Sequence, residues 1–149
     1  MYSEQEKARL LHLHKSALRA HLENDANTFL APYASEWYDV RNAGIRLRTK
    51  EAALPSIERY FKRTHFFDIS EMVAPIIHLS TDASMAWVIG VIQVRATQDG
   101  SDGQEQDFSF QCAFVSIYEK HEGEWAQVVD ASSFQFQGNN NEENHRGTG

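Results

Sequence analysis

Near residue 65 the spacing of apolar residues switches from a helical period to a strand period, and few fold classes accept that order. Ahead of the switch, Leu11, Leu18 and Leu22 recur at helical spacing, joined by Leu10, Ala17 and Ala20, with His14 and His21 close to the stripe. Ser3-Glu4-Gln5-Glu6 has capping-box spacing with Ser3 as N-cap, so a helix is expected over about 4–23. A short second helix follows, with Asp25 near its start and Phe29, Leu30 and Tyr33 as its apolar face. Pro32 should end or kink it. Glu36 to Val40 reads as a short strand entering a turn at Asn42-Ala43-Gly44. Thr49 is placed to cap a third helix reaching about Arg63, with Ile57, Tyr60 and Phe61 inward. Pro55 costs about 3 kcal/mol in a helix interior, which leaves open a start nearer Pro55.

Beyond the switch, Ile69–Leu79, Met85–Thr97, Phe108–Tyr118 and Glu124–Gln137 are rich in β-branched and aromatic residues and read as strands. Their links carry turn chemistry: Ser80-Thr81-Asp82, a polar loop from Gln98 to Asp107, and Glu122-Gly123. The last is short enough to make its two strands an antiparallel hairpin. Gly138 to Gly149 is polar and asparagine-rich, so a disordered tail is expected over 138–149 after one domain over 1–137. Three helices and a strand followed by four long strands give an α+β fold, with helices packed on one antiparallel sheet.

Two of the strands are apolar on both faces. Met85, Trp87, Ile89 and Val91 alternate with Ala86, Val88, Ile92 and Val94; Phe110, Cys112 and Phe114 alternate with Ala113, Val115 and Ile117. A sheet covered on one side alternates with polar residues instead, so helices should cover one face and a second copy the other. The expectation is a homodimer through the sheet.

Charge narrows the partners. The formal net charge of -7, spread along the chain, argues against nucleic acid or anionic membrane, which need a basic surface. The N-terminal residues are polar, and nothing approaches the roughly 20 apolar residues of a membrane span, so a cytoplasmic location is expected. Cys112 is the one cysteine, excluding an intramolecular disulfide; in its apolar run it reads as a small hydrophobe, and no nucleophile signature surrounds it.

Several local runs add a resemblance. Asn24-Asp25-Ala26-Asn27-Thr28-Phe29-Leu30 with Tyr33-Ala34, then Asp82-Ala83-Ser84-Met85-Ala86-Trp87-Val88, then Lys120–Trp125 with Val128–Ser133 occur in that order. Together they resemble the NTF2-like superfamily, in its SnoaL-like or ketosteroid-isomerase-like branch, over residues 7–136. The resemblance implies a cone: three N-terminal helices on a strongly curved antiparallel sheet, a pocket between them, and frequent dimers. Because the fold hosts isomerases, dehydratases, cyclases, hydrolases and plain binding modules, it does not convert to a function.

Against the isomerase pattern, the resemblance aligns Arg41 with the carboxylate base and Ala17 with the tyrosine donor, and neither residue can serve. Asp39 is two residues away on the same strand face. On the last strand, Val129 and Ala131 stand where many relatives carry histidines, and Asp130 remains among apolar or small residues. A carboxylate there is costly unless paired, so Asp130 is either an acid of raised pKa or one half of a structural pair with Arg41 or Arg95.

The candidate catalytic residues are Asp130 and His14, the latter either facing a pocket or satisfied in the core. Trp37, Tyr38, Trp87 and Phe110, with Arg41 and Gln111, are the candidate pocket-lining set for a flat apolar ligand, although core packing uses the same aromatics. Arg41, Arg46 and Arg48 cluster on either a ligand-binding or a solvated edge. No metal-ligand spacing appears among the seven histidines, no phosphate loop forms at Gly100-Ser101-Asp102-Gly103, and no metal or other cofactor is expected. Two functions stay open: a small-molecule pocket protein with acid–base chemistry on an apolar or aromatic ligand, or a non-catalytic homodimeric binding or assembly module.

Overall fold

A computed structural model describes residues 2–137; the tail expected over 138–149 lies outside them. Helices α1 (Tyr2–Leu22), α2 (Ala26–Leu30) and α3 (Lys50–Arg63) accompany strands β1 (Tyr33–Arg41), β2 (Gly44–Thr49), β3 (Thr64–Leu79), β4 (Met85–Asp99), β5 (Glu105–Asp107), β6 (Phe110–His121) and β7 (Glu124–Phe136). The sheet runs β2-β1-β7-β6-β4-β3, with β5 pairing β4. Every pairing is antiparallel except β1 with β7, which is parallel, so the sheet is antiparallel-rich rather than wholly antiparallel. Register shifts interrupt β3 three times and also β1–β7 and β6–β7; such bulges bend and curve a sheet.

Local chemistry explains the helix borders. Asp25 caps α2 by accepting from the Thr28 amide at 3.1 Å and from its hydroxyl at 2.6 Å. Thr49 caps α3 by accepting from the Ala52 amide at 3.2 Å, so the helix starts there and accommodates Pro55 in its interior. Ala53, 1% exposed and packed with Leu30, Tyr33 and Trp37, holds the turn ahead of the proline. Asn24 ends α1 in the left-handed region, φ 55°, and its side-chain amide ties the junction to the Phe61 and Thr64 carbonyls.

Several boundaries differ from expectation. Helix α1 begins at Tyr2, so Ser3 lies inside it rather than capping it. Tyr33 opens β1 instead of closing α2. Strand β2 forms within a stretch read as a turn and a cap; its apolar residues Ile45 and Leu47 point outward, 71% and 56% exposed, so no buried face marked it. Strand β3 begins at Thr64 rather than Ile69, and β5 forms inside the expected loop.

The core lies between helices and sheet in three clusters. Phe61, Phe66, Val94, Phe110 and Cys112 anchor one; Leu10, Val88, Tyr118 and Trp125 the second; Leu30, Tyr33 and Trp37 the third. His21 sits among Phe29, Phe61 and Phe66, with Nδ1 2.7 Å from the Ala17 carbonyl, and burial pushes its pKa down. Among the described residues, no helix is long and apolar enough to cross a membrane.

Candidate functional site

Where β1 and β7 run side by side, Asp39 is the register partner of Asp130, and Asp130 in turn faces Ser116 on β6. Side chains alternate faces along a strand, so Asp39, Arg41, Asp130, Ser132, Phe134, Cys112, Phe114 and Val88 share the helix-covered face. Two carboxylates therefore stand next to each other in the interior, and their partners differ.

Asp39 is 2% exposed and takes a hydrogen bond from Arg41 Nε at 3.0 Å, with Arg48 Nη1 at 3.9 Å from its other oxygen. Among the described residues no such cation lies at contact distance from Asp130. The Tyr33 hydroxyl donates to its Oδ2 at 3.0 Å and the Ser132 hydroxyl to its Oδ1 at 3.4 Å. Burial pushes the Asp130 carboxyl up, and the neighbouring Asp39 charge adds to this; Tyr33, Arg41 and Ser132 only partly oppose it. As a whole residue, backbone included, Asp130 is half-buried.

The surrounding groups respond to burial and to that charge. The Tyr33 phenol, 7% exposed, is raised well above its ordinary range by burial and by Asp130. Tyr118 is raised for the same two reasons, in that order. Burial and then Asp130 push the Cys112 thiol up to about 11, the opposite of what a nucleophilic thiolate requires. Burial raises Tyr60 to about 12. The chemistry available is that of a carboxyl that keeps its proton more readily than an ordinary aspartate, among weakly acidic hydroxyls.

The residues expected at the site divide. Trp37 joins it: its ring lies 4.4 Å from that of Tyr33, with the Arg48 guanidinium 5.9 Å over its face. Arg41 sits 5.6 Å over the Phe134 ring, and Phe134 lies 5.5 Å from Phe110. Tyr38, Trp87 and Gln111 alternate with interior residues and lie on the opposite face of the sheet; Trp87 stacks on His78 at 4.2 Å.

His14 is buried elsewhere in the interior. Its Nε2 bonds the Glu71 carboxylate, and its ring stacks 5.4 Å from Phe114. Burial pushes Glu71 up, but hydrogen bonds from His14 and Lys15 outweigh it and hold that carboxyl below its ordinary value. No hydrogen bond joins His14 to Asp130 among the described residues. The Phe114 ring occupies space left by Gly90, where a Cβ would meet Phe114 Cζ at 2.8 Å.

Sequence reasoning missed Tyr33, which it placed on a helix, and Ser132; a tyrosine at the Pro32 boundary was the available signal. Arg95 does not reach Asp130 but lies exposed beside Asp68. Two open surface clefts lie away from this cluster. One of about 330 Å³ is bordered by Tyr2, Lys7, His78 and Asp82, the other of about 540 Å³ by Asn24, Asn27, Glu58 and Lys62.

No family model and no curated protein matches the chain. Solved structures do. An NTF2-like protein from Cytophaga hutchinsonii superimposes with a TM-score of 0.63 at 14% identity, over 85% of this chain and 96% of that one. This is the NTF2-like fold. A ketosteroid isomerase-like protein from Erwinia carotovora atroseptica gives 0.63 at 16% identity, over 83% and 91% of the two chains. A putative calcium/calmodulin dependent protein kinase II association domain from Xanthomonas campestris gives 0.59 at 18% identity, over 84% of each. At these identities the NTF2-like likeness is one of fold alone, so the Asp130 cluster must be argued from its own geometry.

Proposed function

We propose that this chain binds a small, mainly apolar or aromatic molecule through the interior face around Asp130. Asp130 exchanges a proton or hydrogen bond with a carbonyl or hydroxyl oxygen of that molecule. The observation that carries the reading is an interior carboxyl whose hydrogen-bond partners among the described residues are the Tyr33 and Ser132 hydroxyls rather than a cation. A carboxyl in such a place is costly to keep, and a ligand oxygen is a partner that would repay it. Trp37, Phe110 and Phe134 supply flat apolar walls, and Arg41 stays bonded to Asp39.

A thermal-shift screen with steroids, polyketide-like aromatics, hydroxy acids and fatty acids tests this. A ligand at 100 times its dissociation constant adds about 2.7 kcal/mol, worth several degrees in a chain of this size. A hit is expected, with its shift lost in Asp130→Asn measured against that variant's own baseline. A hit of equal size in Asp130→Asn, or none in the panel, overturns the reading.

A second reading rests on the outer face of the sheet, where Val40, Leu47, Ile89, Val91, Val115, Ile117, Val129 and Ala131 lie together without helices over them. A second copy of this chain fits that face, because a two-fold axis would set apolar strands against apolar strands. One of the similar solved structures is itself described as an association domain. Sedimentation equilibrium should show a dimer, and Ile117→Lys, entering the interface twice, should give a folded monomer. A monomeric wild-type chain at high micromolar concentration excludes it.

A further inference from the structure

At one corner of the sheet the start of β3, the end of β4 and the short β5 meet. Thr97 is the register partner of His65 on one side and of Asp107 on the other, and Asp99 directly faces Glu105. Alternation therefore sets His65, Thr97, Asp99 and Glu105 on one face of the corner, although His65 is distant in sequence from the others. His65 Nε2 lies 3.5 Å from Asp99 Oδ1 and 3.7 Å from Glu105 Oε1, and one ligand atom from each of the three falls within 4.8 Å of the others.

We propose that this corner binds a divalent transition-type ion such as Zn²⁺ through His65 Nε2, Asp99 and Glu105, with water completing the shell. Three observations carry the assignment. First, a four-coordinate ion with bonds of about 2.0–2.2 Å to nitrogen and oxygen separates neighbouring ligand atoms by about 3.3–3.6 Å. The two His65 separations already stand near that spacing, so little movement is needed to close on an ion. Second, Asp99 and Glu105 are like charges directly opposite each other on antiparallel strands, an arrangement that repels. Among the described residues no lysine or arginine pairs with either; His65 is their only ionic partner. Third, the Thr97 hydroxyl donates to Glu105 Oε1 at 3.3 Å, the kind of outer contact that orients a ligating carboxylate.

The donor set selects the ion. An imidazole with two carboxylates suits zinc and its neighbours, whereas calcium and magnesium prefer all-oxygen shells. All three side chains are about half exposed, so the ion reaches them directly from solvent. Once bound, it cross-links three strands and pins the three-residue β5 to the sheet. The corner contains none of the residues assigned to the Asp130 site.

Calorimetric titration of the metal-stripped full chain with Zn²⁺ tests the proposal. One equivalent should bind, with a rise in the thermal midpoint that Mg²⁺ and Ca²⁺ do not reproduce. His65→Ala and Glu105→Gln should each weaken binding at least tenfold and abolish the midpoint rise. Because all three residues are exposed, both variants should fold as the parent does. Absence of saturable binding, or affinity unchanged in both variants, overturns the site; the second result would mean that zinc binds elsewhere.

Discussion

Asp39 on β1 and Asp130 on β7 are register partners on one face of one sheet, yet the protein treats them differently. Asp39 is the more completely buried, and it has a guanidinium bonded at 3.0 Å with a second at 3.9 Å. Asp130 is the less completely buried residue, and its hydrogen-bond partners among the described residues are two neutral hydroxyls. The charge of Arg41 acts on both acids, yet its hydrogen bond goes to Asp39. A buried charge that holds its own counterion is locked into structure, whereas one left with hydroxyls keeps capacity for a further partner. Glu6, near the β6–β7 turn, repeats the first case: burial pushes its carboxyl up, but Lys120 at 2.7 Å and Arg9 at 2.9 Å bring it below the ordinary value. Asp130 is the exception among these acids.

The largest expected effect comes from removing the cation that separates the two cases. Arg41→Leu leaves Asp39 buried with only the more distant Arg48; because the Arg41 side chain is itself 38% exposed, losing its charged hydrogen bond costs about 1.5–3 kcal/mol rather than the full cost of breaking a wholly buried pair. Urea unfolding should show a lower midpoint with an unchanged slope. Adding Asp39→Asn should recover much of that loss, since the variant then buries no unpaired charge. A single variant as stable as the parent would mean that Arg48 alone satisfies Asp39, and the contrast between the acids would shrink to one of distance.

How much of this arrangement could be read from the chain depends on how local each cause is. Asp25 and Thr49 cap their helices through side chains three residues from the amides they bind, and such spacing is visible in sequence. The Glu122-Gly123 turn, with φ of 51° and 81°, was legible for the same reason. The period switch was legible too, because it sums over many residues. Strand β2 was hidden because Ile45 and Leu47 face outward, reversing the usual pattern. Asp130 stood out as a carboxyl within an apolar run, but its partner did not. Tyr33 reaches it only through the parallel β1–β7 pairing, the two residues being far apart in sequence, and nothing near Tyr33 announces that neighbour. The choice of Arg41 between two acids on the same face has the same non-local origin. His65, Asp99 and Glu105 are gathered by register across three strands, so a search for local ligand spacing passes over them.

A smaller effect of opposite sign would sharpen the comparison further. The Asp130 carboxyl has a folded pKa above its ordinary value of 3.8, because burial disfavours its charged form. Just above 3.8 the folded chain then binds more protons than the unfolded one, so this group's contribution to stability falls as pH rises through that window. An asparagine in its place would not ionise and could still accept from the Tyr33 hydroxyl. Asp130→Asn should therefore match the parent in acid, where both side chains are neutral, and become the more stable protein as pH rises toward neutrality. The gain is limited because Tyr33, Arg41 and Ser132 already offset part of the cost of the charge. Unfolding midpoints for both proteins from pH 4 to 8 read this directly as a gap that opens with pH. A gap of the other sign, with the variant weaker at neutral pH, would show Asp130 to be a satisfied structural acid like Asp39. The ground for placing a ligand beside it would then be gone.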